Sequence, residues 1–151
     1  MQALKANIFQ QHLEKSTVFL DRNIITPHYL PQQLPFRDKQ IDEISSTLAS
    51  ALQGKKPNNT FIYGKVGTGK TVTVKHVLHQ LHEFVEQKHL PVDFVYVNCR
   101  THNSKYKVLL KALQSFYPRN DFIGYSGAFV YEKLLQYAGL GKHLIIALDE
   151  V

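Results

Sequence analysis

GKVGTGKT, at positions 64–71, is the most informative stretch of this 151-residue chain. Its members are Gly64, Lys65, Val66, Gly67, Thr68, Gly69, Lys70 and Thr71. This order is a complete Walker A sequence, which is typical of a loop that cradles phosphate groups. The glycines allow a tight turn and bring backbone N–H groups against phosphate oxygens without an intervening side chain. The sequence therefore predicts that all eight residues contact a bound nucleotide.

The residues on either side of the loop predict how it is held. Thr60–Tyr63 is a short apolar run that predicts a buried strand, and Thr71–Gln87 has apolar residues at helical spacing. A helix that begins at the loop directs the positive end of its dipole at the phosphates. Lys70 would place its charge on the β- and γ-phosphates, and the Thr71 hydroxyl would be a ligand of Mg²⁺. We expect ATP or ADP with Mg²⁺ to bind here.

A pair of carboxylates follows an apolar run later in the sequence. Leu144–Leu148 predicts a strand, and Asp149 and Glu150 follow it directly, as in a Walker B motif. Asp149 would hold the hydration shell of Mg²⁺, because this metal prefers oxygen ligands and keeps several waters. Glu150 would orient or deprotonate the attacking water, so Glu150 and Lys70 are predicted to be catalytic. The acidic pair favours ATP hydrolysis over kinase chemistry, which needs no water-activating carboxylate.

The remaining segments alternate between helical and strand patterns. Residues 1–16 predict a polar helical arm, and a loop with three prolines follows it before the first well-marked helix. Periodicity predicts three further helices and one further strand, at residues 38–53, 104–116, 126–138 and 93–98. Strands that alternate with helices predict an α/β fold, with a parallel sheet flanked by helices.

Two local features carry more specific predictions. Asp38 precedes an apolar-periodic segment and is predicted to cap its helix. His76, His79 and His82 lie three residues apart on the helix after the loop. At about 100° per residue they fall opposite the apolar face of that helix, so we expect all three to point to solvent.

The composition limits the class of protein. Hydrophobic residues make up 44% of the chain and charged residues 20%, which excludes a collagen-like or wholly disordered protein. The longest apolar run, Leu144–Leu148, is far shorter than the roughly 20 residues that span a bilayer, so we expect no membrane partner. Eighteen Lys and Arg against 12 Asp and Glu give a net charge of +6, which suits a polyanionic partner. Cys99 is the only cysteine, which fits a reducing compartment.

The two Walker motifs with their Asp–Glu pair resemble those of the AAA+ superfamily. Four further segments resemble the archaeal origin-recognition and cell-division-control initiator ATPases: Asn23–Pro31, Leu34–Ile41, Asn58–Lys65 and Val95–Arg100. The resemblance covers about residues 17–151 and implies a P-loop NTPase fold of the AAA+ type. In this family the next strand lies between the Walker A and Walker B strands, and a helical lid and a winged-helix domain follow. None of these is recognised here, so we expect a C-terminally incomplete nucleotide-binding domain and a gap in its sheet.

The resemblance also implies roles for residues outside the Walker motifs. Tyr29, Leu30 and Pro31, together with Arg37, would wrap the adenine, although the loop could equally pack on the core. Asn98 lies where the superfamily often places a polar residue that restrains the catalytic glutamate, and a strand-end cap is its alternative role.

A DNA-contacting helix is implied for the segment after the second strand. Phe94–Asn120 contains no acidic residue and holds several cations. Lys105, Lys107 and Lys111 are the predicted DNA contacts, and Lys107 and Lys111 share a helix face. Tyr106 and Tyr117 are free for stacking or packing, and the lysines could alternatively form a solvated basic face.

The function that the resemblance implies is DNA-replication initiation, with origin recognition, helicase loading and ATP as the assembly switch. The implied partners are duplex DNA at an origin and a replicative helicase or other initiator subunits, in a cytoplasmic, nucleoid-associated location. Three alternatives stay open: another AAA+ ATPase of the clamp-loader or transposition-helper type, a small P-loop phosphotransferase, and a non-catalytic interaction module. We expect an ATPase in the full-length protein and negligible activity from these 151 residues alone.

Overall fold

The computed structural model describes residues 29–31 and 33–151. The helical arm predicted at residues 1–16 and its boundary with the following domain lie outside the described residues. Contacts within the chain divide it after Leu30, and the unit that contains the Walker motifs begins at Pro31. No helix among the described residues is both long and apolar enough to cross a membrane.

Four helices and two strands make up the described unit. In chain order they are α1 (Asp38–Leu52), α2 (Lys70–Lys88), β1 (Val92–Asn98), α3 (Lys105–Phe116), α4 (Gly127–Ala138) and β2 (His143–Asp149). The bounds of all six agree with the sequence-based prediction to within one residue. The periodicity of apolar residues was therefore sufficient to locate these elements.

The helices begin in two different ways. Ser104 and Ser126 precede α3 and α4, and their side chains accept hydrogen bonds from the backbone N–H groups of Lys107 and Phe129. The prediction that Asp38 caps α1 was wrong, because Arg37 occupies the cap position and no side chain caps this helix. Asp38 is instead the first helical residue, where its negative charge interacts favourably with the helix dipole.

The two strands pair in parallel and in register from Val92 opposite His143 to Asn98 opposite Asp149. Helices cover both faces of this sheet. On one face β1 packs with α3 and α4 through a cluster that includes Val97, Leu113 and Val130. On the other face α1 and α2 pack over residues that alternate with the first set, and Leu78, Leu81 and Val92 are buried there. The predicted α/β architecture, with a parallel sheet flanked by helices, is confirmed.

The prediction of a strand at Thr60–Tyr63 was wrong. These residues form no strand, and among the described residues the sheet contains only β1 and β2. The side chains of Phe61 and Tyr63 are 79% and 82% exposed and stack on each other with ring centroids 6.0 Å apart. An extended segment needs a hydrogen-bonded neighbour to become a strand. Among the described residues β1 and β2 pair only with each other, so this segment has no such neighbour.

The prediction for the three histidines was wrong at one position. His76 is buried and lies within 3.1 Å of the Gln80 side-chain nitrogen, whereas His79 and His82 are exposed. Helix α2 packs against both α1 and β1, so its buried sector is wider than a single apolar face. Periodicity within α2 does not reveal this second packing partner.

Candidate nucleotide-binding site

The Walker A loop has the backbone conformation that its glycines predict. Gly64, Gly67 and Gly69 have φ angles of 155°, 77° and 81°, in the region that other residues seldom adopt. Gly69 is also the N-cap of α2, so the loop ends where the N–H groups at the start of that helix are free of helical partners. This arrangement gives the loop the positive electrostatic character that binds phosphate.

The loop carbonyls hold the Lys70 side chain in this structure. Lys70 Nζ donates to the carbonyl oxygens of Gly64 and Lys65, each at 2.9 Å. Thr68 Oγ1 also donates to the Lys65 carbonyl, at 2.8 Å. The ammonium group is therefore held by carbonyl groups of the same loop whose backbone N–H groups would donate to phosphate oxygens. Val66 lies at the tip of the loop and is fully exposed.

Arg37 lies against the Walker A loop. Its guanidinium donates a short hydrogen bond to the carbonyl oxygen of Thr68. A Cβ atom added at Gly69 would lie 3.7 Å from the same guanidinium, an ordinary van der Waals distance, so the positive φ angle rather than lack of space favours glycine there. Arg37 thus braces the loop from the segment that precedes α1. Its predicted contact with adenine stays a prediction.

Tyr29, Leu30 and Pro31 are the other residues predicted to contact adenine. Tyr29 is 42% exposed, and Leu30 and Pro31 are partly buried. Tyr29 and Leu30 precede the unit that carries the loop. Their role as a wall for adenine stays a prediction.

The Walker B aspartate and the Walker A threonine meet directly. Thr71 Oγ1 donates to Asp149 Oδ2 at 2.8 Å, although 78 positions separate the two residues in the chain. The Tyr96 hydroxyl donates to the same oxygen at 2.5 Å, and the backbone N–H of Glu150 donates to Oδ1 at 3.0 Å. Burial raises the pKa of Asp149, but the hydrogen bonds from Tyr96 and Thr71 outweigh burial and hold this pKa below its ordinary value. Asp149 is therefore an anion at neutral pH.

This donor set fits a hard divalent cation. The Thr71 hydroxyl and the Asp149 carboxylate are oxygen ligands, which Mg²⁺ prefers, and they converge beside the phosphate loop. Within the described part of the chain, no Lys, Arg or His side chain forms an ion pair with Asp149. Lys75 acts on Asp149 through space but does not bond to it, so the carboxylate remains available to a divalent cation.

Asn98 makes contacts that are compatible with both of the roles considered for it in the sequence. Its Oδ1 accepts hydrogen bonds from the backbone N–H groups of Arg100 and Thr101, which caps the end of β1. Its Nδ2 donates to Glu150 Oε2 at 2.9 Å. Arg100 Nη1 lies 3.5 Å from the other carboxylate oxygen of Glu150, although the arginine side chain is 82% exposed. The glutamate side chain is thus bonded to residues at and just beyond the end of β1.

Sequence reasoning did not identify Tyr96, Lys75 or Arg100 at this site. Lys75 Nζ lies over the Tyr96 ring, 4.9 Å from its centroid. Burial and the neighbouring Asp149 raise the pKa of Tyr96 above its ordinary value of 10.0, so its hydroxyl remains a donor. The alternation of side chains along a strand could have identified Tyr96. This residue lies two positions before Asn98 and hence on the same face of β1.

The predicted DNA-contacting lysines lie on α3 but do not form a single patch. Lys105 and Lys107 are exposed and Lys111 is partly buried. Lys107 and Lys111 share one side of the helix, whereas Lys105 is two positions from Lys107 and points to a different side. Tyr106 and Tyr117 pack against the core between β1, α3 and α4, so packing rather than stacking is their role in this structure.

The family described as the AAA ATPase domain matches residues 33–122, which include α1, the Walker A loop, α2 and β1. The chain belongs to the AAA ATPase family. The geometry of the site agrees with this family. The Walker A loop precedes α2, and the acidic end of β2 lies beside the loop. The predicted P-loop NTPase fold of the AAA+ type is confirmed.

The relatives of this AAA ATPase chain include archaeal replication proteins. It is 34% identical over 151 residues to the ORC1-type DNA replication protein of Thermococcus kodakarensis, covering 97% of this chain and 36% of that protein. It is 36% identical over 146 residues to the ORC1-type DNA replication protein 1 of Archaeoglobus fulgidus, covering 96% and 36% respectively. The chain therefore spans about a third of the length of these relatives. The predicted resemblance to the archaeal initiators is confirmed.

Solved structures agree with this assignment. The Aeropyrum pernix ORC1 protein, whose structure is a complex with DNA, superposes with a TM-score of 0.74 at 34% identity. That match covers 84% of this chain and 34% of the other. The Aeropyrum pernix ORC2 protein in its ADP form gives a TM-score of 0.73 at 23% identity, which shows the fold alone, over 89% of this chain and 36% of the other.

Proposed function

We propose that this chain carries the nucleotide site of an ATP-dependent DNA-replication initiator that recognises an origin and takes part in loading a helicase. The observation that carries the proposal is the contact between Thr71 and Asp149, which joins the Walker A loop to the Walker B strand end. The relatives are named as ORC1-type DNA replication proteins, which favours initiation over the clamp-loader, transposition-helper and phosphotransferase alternatives.

The loop residues bind the triphosphate in this proposal. The backbone N–H groups of residues 64–71 surround the phosphate oxygens, and the start of α2 contributes its dipole. Lys70 exchanges the carbonyl oxygens of Gly64 and Lys65 for the β- and γ-phosphates. The phosphates are stronger acceptors than the carbonyls because they are charged, so binding of ATP draws the ammonium group away from the loop.

Thr71 and Asp149 would hold Mg²⁺ beside the phosphates. Bound Mg²⁺ supplies positive charge that offsets the charge developing on the phosphate oxygens. The Thr71 oxygen would keep a lone pair for the metal while its O–H donates a hydrogen bond to Asp149 Oδ2. The Asp149 carboxylate would act mainly through metal-bound water.

Glu150 is the proposed base that orients the attacking water, and Asn98 restrains it. In the arrangement described above, Glu150 is bonded to Asn98 and lies near Arg100. Hydrolysis would then require Glu150 to leave Asn98, which would keep turnover slow and let bound ATP act as an assembly switch. The ATP-bound state would engage DNA, and hydrolysis would reset the protein.

Three variants test the nucleotide site in the full chain. Lys70→Ala should weaken ATP binding about tenfold or more, because a charged hydrogen-bond donor to the phosphates is lost. Glu150→Gln should retain ATP binding and lower hydrolysis about 100-fold or more. The exposed Lys56 supplies the control, since Lys56→Ala removes the same charge away from the loop. The binding is measured by titration calorimetry with Mg²⁺, and an absence of heat with any purine triphosphate would overturn the proposal.

The proposed DNA contacts are Lys107 and Lys111, with Lys105 as a separate contact. Their support is the acid-free stretch Phe94–Asn120 and the shared face of two of the lysines on α3. Lys107→Ala with Lys111→Ala should reduce the salt dependence of duplex binding by about one unit of slope for each lysine. The matched control removes Lys39 and Lys55, which lie outside α3. An equal loss in the control would show that only net charge matters.

We also propose that residues 1–151 alone bind ATP weakly and hydrolyse it negligibly. The support is the exposed, unpaired segment Thr60–Tyr63, which leads into the loop without strand hydrogen bonds to hold it. In the cell we expect the protein in the cytoplasm, associated with the nucleoid, together with duplex DNA and a helicase or other initiator subunits. A purified chain of these residues with turnover comparable to that of longer relatives would contradict the proposal that residues 1–151 alone are nearly inactive.

A further inference from the structure

Tyr96 connects the middle of β1 to the metal-facing end of β2. It pairs in register with Ala147, yet its hydroxyl reaches Asp149 Oδ2 at 2.5 Å, two residues farther along the neighbouring strand. Tyr96 lies on the face of β1 that packs against α2, because it alternates with Val95 and Val97 in the core on the opposite face. The side chain therefore lies between the sheet and the helix that begins at the phosphate loop.

The Asp149 carboxylate is fixed by donors from three different parts of the chain. Tyr96 and Thr71 both donate to Oδ2, and the backbone N–H of Glu150 donates to Oδ1. Bonds to both oxygens determine the plane of a carboxylate, which is otherwise free to rotate about its last torsion. Thr71 is a proposed metal ligand and belongs to the nucleotide loop. Tyr96 is the side-chain donor to Asp149 that belongs to the sheet rather than to the loop.

The ring of Tyr96 is itself held by α2. Lys75 lies one helical turn after Thr71, and its ammonium group lies 4.9 Å from the centroid of the Tyr96 ring. A cation over an aromatic face is attracted to it and restricts the ring position. Thr71 and Lys75 thus contact the Asp149–Tyr96 pair at its two ends, one through the carboxylate and one through the ring.

We propose that Tyr96 is a positioning residue for the metal, whose hydroxyl holds the Asp149 carboxylate in the orientation that receives Mg²⁺. This inference rests on the proposed function, in which Thr71 and Asp149 hold that metal. Groups that orient a metal ligand through hydrogen bonds change metal affinity by about 10- to 100-fold when removed. A role that is only structural would alter the stability of the protein without altering its response to metal.

Tyr96→Phe tests this, because it removes the hydroxyl and retains the ring over which Lys75 lies. In the full chain, Mn²⁺ is titrated into the ADP complex and bound metal is measured by electron paramagnetic resonance. We expect Mn²⁺ affinity to fall about tenfold. The affinity for ADP in EDTA should stay within about twofold, since the phosphate loop is unchanged. The control is Tyr137→Phe, which removes the tyrosine hydroxyl that is bonded to Asp93 at the opposite end of the sheet. This variant should leave Mn²⁺ affinity unchanged.

A double-mutant comparison separates failure of this inference from failure of the proposed function. Asp149→Ala should weaken Mn²⁺ binding, and Tyr96→Phe should add little in that background, because alanine has no side-chain oxygen for the hydroxyl to position. If Asp149→Ala binds Mn²⁺ like the wild type, the proposed metal site itself is wrong. If Asp149→Ala is defective and Tyr96→Phe behaves like the wild type, only the positioning role is overturned. An equal additional loss in the Asp149→Ala background would also overturn it.

Discussion

The two ends of the β1–β2 sheet each carry an aspartate that is bonded to a tyrosine hydroxyl. At the carboxyl end, Asp149 Oδ2 accepts from Tyr96 at 2.5 Å. At the amino end, Asp93 Oδ2 accepts from Tyr137 at 2.6 Å. The two pairs differ in where the nearest cation lies. Lys142 donates directly to Asp93 at 2.8 Å, whereas near Asp149 the lysine lies over the tyrosine ring instead.

This difference separates a structural cluster from a candidate ligand site. Lys142 also donates to the Tyr137 hydroxyl at 3.0 Å, so the charge of Asp93 is neutralised within the cluster. Burial raises the pKa of Asp93, but the hydrogen bonds from Lys142 and Tyr137 outweigh it and hold the pKa below 3.8. Asp149 receives its side-chain hydrogen bonds from neutral hydroxyls. An aspartate with neutral donors keeps its charge for a metal, whereas an aspartate bonded to lysine stabilises the fold.

The largest expected effect comes from Asp149→Asn. The amide oxygen of asparagine still accepts from Tyr96 and Thr71, but the negative charge that faces Mg²⁺ is lost. We expect Mg²⁺-dependent ATP hydrolysis in the full chain to fall about 100-fold or more, since loss of groups that only orient a ligand already costs 10- to 100-fold. The free energy of unfolding in EDTA should change by less than about 1 kcal/mol. A large loss of stability in EDTA would show that the two ends of the sheet have similar roles.

The second effect is expected from Asp93→Asn, at the other end of the sheet. Here the charge-assisted bond to Lys142 is lost, so we expect the free energy of unfolding at neutral pH to fall by about 2 kcal/mol. The Mg²⁺ dependence of nucleotide binding should not change. Chemical denaturation in EDTA measures the free energy of unfolding, and titration calorimetry measures the Mg²⁺ dependence of nucleotide binding.

The same variant has a defined pH dependence. The pKa of Asp93 is lowered in the folded state, so its contribution is complete above the ordinary carboxyl value of 3.8 and is lost as the pH falls through the folded value. The difference in unfolding free energy between wild type and Asp93→Asn should therefore shrink from about pH 5 downward. A difference that stays constant to acid pH would show that the charge of Asp93 is not what stabilises this cluster.

The smallest effect is expected from Tyr137→Phe. Lys142 still neutralises Asp93 in this variant, and only one hydroxyl donor is removed. We expect a loss of about 1 kcal/mol in the free energy of unfolding, measured by chemical denaturation. A loss larger than that of Asp93→Asn would mean that the hydroxyl has a role beyond its bond to Asp93.

Sequence reasoning predicted most of the elements because each depends on local pattern. The bounds of α2 and β2 follow from apolar spacing, and the Walker A glycines follow from the φ angles that a phosphate loop requires. It failed where a residue depends on neighbours from other elements. Thr60–Tyr63 has strand-forming residues but no strand to pair with, and His76 is buried although it lies off the main apolar face of α2. Neither outcome is encoded within the segment itself.

The phosphate loop could be predicted without a structure, because contiguous residues at positions 64–71 build it from their own backbone. The arrangement around Asp149 could not. Tyr96 is 53 positions and Thr71 is 78 positions from Asp149, and their convergence depends on the parallel register of β1 with β2 and on the placement of α2. Among the described residues, the same assembly gives Asp93 a bonded lysine and gives Asp149 none. Hydrogen bonds reach about 3 Å, so only the packed sheet and helices determine which donors each carboxylate meets.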